Sequence, residues 1–67
     1  MTLTQAQRGA LHELYCRLVF DRRANGMAAA PSYLTFRRSV LPGPHGCVLV
    51  LYAGMWVGIE TDGYTHS

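Results

Sequence analysis

The stretch Cys47-Val48-Leu49-Val50-Leu51-Tyr52-Ala53-Gly54-Met55-Trp56-Val57-Gly58-Ile59-Glu60 decides the fold. Two runs of strand-forming residues flank Ala53-Gly54, and this spacing predicts a β-hairpin with a two-residue loop. Tyr52 then opposes Met55, Val50 opposes Val57, and Val48 opposes Ile59. Side chains alternate across a strand, so these six share one face, and that face is wholly apolar. The opposite face carries Cys47, Leu49, Leu51, Trp56, Gly58 and Glu60. It too is mostly apolar.

Working outward from the hairpin, strands are expected over residues 47–52 and 55–61, with Asp62-Gly63 ending the second. The tail from Tyr64 to Ser67 hangs free or adds an edge contact. Upstream, Pro42 to Gly46 reads as a turn. Residues 32–41 read as a further strand, because Tyr33, Thr35, Phe36 and Val40 are all strand formers. In that strand, one of the neighbours Arg37 and Arg38 would point to each face.

The N-terminal third has a different period. Thr4 and Gln7 form a Thr-x-x-Gln capping box. Leu11, Leu14, Tyr15 and Leu18 follow at i, i+3, i+4 and i+7, an apolar arc of about 100° on one helix face. Asn25-Gly26 supplies a stop, with Gly26 free to take positive φ. A helix is therefore expected over residues 5–24 and a linker over 25–31. The expected fold is α+β: one N-terminal amphipathic helix packed on a three-stranded antiparallel β-sheet, an α-β-β-β meander. The helix stripe covers the Val48, Val50 and Ile59 face. No second helix is left for the other.

Length agrees with one small domain over residues 1–67, since a single domain usually takes about 100–200 residues. Hydrophobic residues make up 49% and charged residues 15%, which argues against a disordered tail. No charged residue occurs from Ser39 to Ile59, but Pro42-Gly43-Pro44-His45-Gly46 interrupts the run and argues against a membrane span. The start of the chain lacks the basic region and apolar run of a signal peptide. Cys16 and Cys47 are too few for a disulfide framework. A reducing cytoplasmic setting is expected, the host cell cytoplasm if the chain is phage-encoded.

The uncovered face carries the functional expectation. Leu49, Leu51 and Trp56 form a cross-strand cluster, with Tyr33 or Phe36 beside it and Arg37 and Arg38 at its rim. Trp, Tyr and Arg dominate binding hot spots, and exposed apolar patches mark interaction sites. The bland alternative is that the linker or tail covers this face, or that a second copy does. Phe20 falls about 180° from the centre of the helix stripe. Either it belongs to a second contact strip with Arg22 and Arg23, or the last turn unwinds and returns it to the core. The second is favoured here, because Asp21 and Arg22 would otherwise sit near the stripe.

His12, Cys16, His45 and Cys47 together make the ligand set of a structural zinc site. Their spacings match no zinc knuckle, so no metal and no cofactor is expected. Six Arg and no Lys, at net charge +2, give a weak field for nucleic acid, and direct contact with it is a secondary expectation. There is no Gly-rich phosphate loop, no Gly-x-Ser-x-Gly and no His-Glu-x-x-His. The residues therefore point to a non-enzymatic protein-binding module that occludes a surface of a larger host protein or nucleoprotein complex. In size and plan it is similar in genre to phage and mobile-element inhibitors of host defence such as anti-CRISPR proteins, with no shared motif behind the likeness. The alternatives are a small nucleic-acid-binding protein using Arg pairs and sheet aromatics, and a homodimeric structural module.

Overall fold

A computed structural model describes residues 1–67 as a long helix and a short helix laid on one side of a four-stranded antiparallel sheet. Helix α1 spans Gln5–Ala24. Its capping box closes on both sides. The Thr4 hydroxyl accepts from the Gln7 N–H at 3.0 Å, and the Gln7 Oε1 accepts from the Thr4 N–H at 2.9 Å. At the other end Gly26 takes φ 64°, Gly26 N–H donates to the Arg23 carbonyl and Met27 N–H to the Arg22 carbonyl. This is the Schellman closure, and it fixes where the helix stops.

Residues 32–41 are not a strand. Helix α2 spans Tyr33–Arg38, and only Leu41–Pro42 pairs as strand β1. Two local signals outweigh the strand propensity of Tyr33, Thr35 and Phe36. Ser32 follows a proline in extended conformation, and its hydroxyl accepts from the Thr35 N–H at 3.2 Å, a side-chain N-cap. Tyr33, Phe36, Arg37 and Val40 also stand at i, i+3, i+4 and i+7, so a helical turn buries Phe36 and Val40 together. Arg37 and Arg38 consequently sit in the last turn of a helix, where cations are favoured, and not on alternate faces of a strand.

A 3-10 turn over Pro44–Gly46 leads into strand β2, Val48–Tyr52, which pairs with β3, Met55–Ile59. Their register is Val48↔Ile59, Leu49↔Gly58, Val50↔Val57, Leu51↔Trp56 and Tyr52↔Met55. Ala53 and Gly54 have φ 51° and 80°, the left-handed pair that a tight hairpin turn needs. β3 stops at Ile59, short of the expected residue 61. The Glu60 N–H donates to the Tyr64 carbonyl, and the Gly63 N–H donates back to Glu60. The chain reverses there, and Thr65–His66 returns as β4 on the far edge. The sheet therefore has four strands where three were expected, in the order β1-β2-β3-β4.

The core is Leu3, Leu11, Leu14, Phe36, Val40, Val48, Val50 and Ile59. Val48, Val50 and Ile59 come from the face assigned to it by strand alternation. Met55, on the same face at the hairpin tip, stays exposed. Gln7 is the polar member of the interior, 1% exposed, and its amide donates to the carbonyls of Gly46 at 3.0 Å and Ile59 at 3.1 Å. No helix is long and apolar enough to cross a membrane.

Candidate functional site

Both helices supply core residues to one face of the sheet, and the other face is left without a layer above it. Directly opposed residues in an antiparallel pair point to the same side. Leu41 opposes Leu49, and Leu51 opposes Trp56, so these four make one continuous apolar strip across β1, β2 and β3. Leu41 is 49% exposed, Leu51 51% and Trp56 51%, while Leu49 between them is half-buried. Cys47, at the start of the strip, is buried. A Cβ on Gly43 would come within 2.7 Å of its sulfur, so the turn covers it closely.

The strip ends at a polar border. The His66 ring lies over Gly58, where a Cβ would approach it to 3.0 Å. Its Nε2 meets the Glu60 carboxylate at 2.6 Å, and Tyr64 stacks on it at 6.3 Å between centroids. The tail thus trims one edge of the outer face without covering Leu51 or Trp56.

The remaining residues singled out from sequence separate into three places. Tyr33 belongs to the junction of the two helices, edge-on to Tyr15 at 5.2 Å and to His12 at 5.7 Å, and not to the sheet. The Tyr15 hydroxyl donates to the Pro31 carbonyl and ties the linker to the same junction. Arg37 is half-buried and Arg38 exposed at the end of α2. Phe20 does not return to the core: α1 stays helical through Ala24, and Phe20 is 70% exposed. Arg22 and Arg23 occupy the last turn of α1, with the Arg22 guanidinium donating to the Ala28 carbonyl.

His12 and Cys16 meet at 3.8 Å on the exposed side of α1, but His45 is exposed on the 3-10 turn and Cys47 is buried. The four do not come together, and no three His, Cys, Asp or Glu side chains are grouped to hold a metal.

Sequence reasoning missed a cavity of about 450 Å³ between the helices and the hairpin tip, lined by Leu18, Asp21, Met27, Phe36, Leu51 and Tyr52 among others. It exists because α2 exists; a strand over 32–41 would have left no wall there. The Tyr52 hydroxyl is buried beside the Asp21 carboxylate but makes no hydrogen bond of good geometry. Desolvation, and then the nearby Asp21 carboxylate, raise its pKa above the ordinary 10.0; the Arg17 charge opposes this.

Comparisons with protein-family models, with curated protein sequences and with solved structures find no match for this chain.

Proposed function

We propose that this chain is a non-enzymatic protein-binding module that seats the outer face of its sheet on a larger protein and occludes the surface it covers. The observation that supports this is the continuous strip of Leu41, Leu49, Leu51 and Trp56, open to solvent on a face with no second layer. A half-exposed Trp beside half-exposed Leu residues is the composition of a binding hot spot, and the Glu60–His66 pair gives it a polar border. The mode of action is steric, of the kind used by small phage and mobile-element inhibitors in a host cytoplasm, with a host protein or nucleoprotein complex as target.

The test is affinity capture from nuclease-treated host lysate with the wild-type chain and with Trp56→Ala side by side. Near-stoichiometric recovery of one protein or complex by wild type, lost with a still-folded Trp56→Ala, supports the reading. Recovery that needs intact nucleic acid moves the function to nucleic-acid binding. Elution of the purified chain at twice its mass, reversed by Trp56→Ala, gives the face to a homodimer. Unfolding of Trp56→Ala makes Trp56 a core residue and removes the proposal.

A further inference from the structure

We infer that the open edge of β2 is a second binding site, one that takes an extended peptide segment carrying a bulky apolar side chain next to a Lys or Arg. This site lies on the edge of the sheet and shares Leu51, but not Trp56 or Leu41, with the outer face.

The register carries the argument. In a hairpin with a two-residue loop, Tyr52 and Met55 exchange both main-chain hydrogen bonds, and bonded pairs then alternate along the ladder. The N–H and C=O of Leu51 therefore point away from β3. Leu49, the previous outward-pointing residue, is met by Leu41 of β1. The chain then leaves the sheet for α2, so Leu51 has no strand beside it. Its main-chain groups enter none of the hydrogen bonds formed outside the ladders and helices.

The cavity adjoins this edge. Leu51 and Tyr52 form one wall, Phe36 of α2 the other, and Leu18 and Met27 complete the apolar lining. An open strand edge beside a helix, with an apolar hole between them, is the arrangement in which a peptide adds as a further strand. Main-chain bonds hold it, and a side chain in the hole selects it. A second main chain supplies, at one position, both an acceptor for the Leu51 N–H and a donor for its C=O. A volume near 450 Å³ suits one large apolar side chain with part of its backbone. Charge then selects the neighbouring residue. Asp21 lines the cavity beside the Tyr52 hydroxyl and is in no salt bridge, and Arg22, in the same lining, directs its guanidinium to the Ala28 carbonyl. A cationic residue beside the apolar one meets Asp21.

The experiment uses the ¹⁵N-labelled chain and acetylated, amidated six-residue peptides. These are β-branched at alternate positions, with Phe or Leu at the centre and Lys or Asp beside it. In the free protein the Leu51 amide exchanges with solvent as an unprotected edge amide. The Lys-containing peptide slows that exchange and shifts the Leu51, Tyr52 and Phe36 signals. N-methylation of the peptide residue opposite Leu51 weakens binding at least about tenfold, because it removes a main-chain donor. Exchanging Lys for Asp weakens it too, and Trp56→Ala leaves it unchanged. A Leu51 amide already protected in the free chain overturns the proposal, as does the absence of any shift at millimolar peptide. Shifts centred on Trp56 and Leu41, lost with Trp56→Ala, overturn it in favour of the outer face. Protection that grows with protein concentration alone overturns it in favour of a second copy at the edge.

Discussion

The Gln7 carboxamide and the Ile59 carbonyl are joined by a buried hydrogen bond of 3.1 Å, across most of the length of the chain. Gln7 also closes the cap of α1 on Thr4 and reaches the Gly46 carbonyl. One side chain therefore ties the start of the helix to the turn before β2 and to the end of β3. Gln7→Leu keeps much of the volume but removes the amide donor to the Gly46 and Ile59 carbonyls, leaving Ile59 only its ladder partner in β2. A loss of about 1–3 kcal/mol is expected, from the buried amide bonds and the capping bond together. Urea unfolding measures it, and an unchanged midpoint would show that the Gln7 side chain adds no net stability.

Tyr52→Phe should leave stability unchanged or raise it by up to about 1–2 kcal/mol at neutral pH, because it deletes a buried hydroxyl that lies by Asp21 without a well-formed hydrogen bond. The alkaline limb gives a second readout. The folded state raises the Tyr52 pKa, so it holds the phenol proton more tightly than the unfolded chain does. That contribution is fully present below pH 10 and is lost as pH rises through the folded-state value. Wild-type stability should therefore fall faster than that of Tyr52→Phe above about pH 10. Parallel curves would show that the phenol is solvated.

Ala53 holds φ 51° at the first position of the hairpin turn, where an L side chain with no local hydrogen bond is disfavoured. Ala53→Asn produces Asn-Gly, the pair best suited to this turn. The melting temperature should rise, by an amount equivalent to about 0.5–1 kcal/mol. A fall would mean that the turn is not of this left-handed type.

Trp56→Ala should change stability by less than about 1 kcal/mol, because the side chain is half in solvent and covers no core residue. If Trp56 anchors a partner, the same change should weaken binding by about 2 kcal/mol or more, roughly 30-fold. A large stability loss would mean that the outer face carries structural packing.

Where one local signal dominated, the sequence was legible. The Thr4–Gln7 capping box, the Leu11–Leu18 stripe and the Asn25-Gly26 stop mark a helix whose ends are both closed by their own side chains or turn geometry. The Ala53-Gly54 loop sets the hairpin register, and with it the open face bearing Leu51 and Trp56. In the segment from Ser32 to Leu41, strand propensity and helical spacing coexist. Tyr33, Thr35 and Phe36 favour strands as residue types, but the cap at Ser32 and the joint burial of Phe36 and Val40 favour a turn of helix. The cavity and the unpaired Leu51 edge are hidden in the sequence for the same reason, since both depend on the chain being helical before it enters the sheet at Leu41. The buried role of Gln7 was half visible: the capping box marked its acceptor oxygen, while its two amide donors act on residues remote in sequence.

The link from Gln7 to Ile59 also bears on the order in which the molecule assembles. Local contacts can form within α1 as soon as it is synthesised, but the buried partners of its cap are the carbonyls of Gly46 and Ile59. Until β3 has left the ribosome, the Gln7 amide lacks its buried partner at Ile59. The rate-limiting event should be closure of this long loop, and not helix formation. Nascent chains truncated before Ile59 should remain sensitive to protease, with resistance arriving in one step when the last strand of the hairpin emerges.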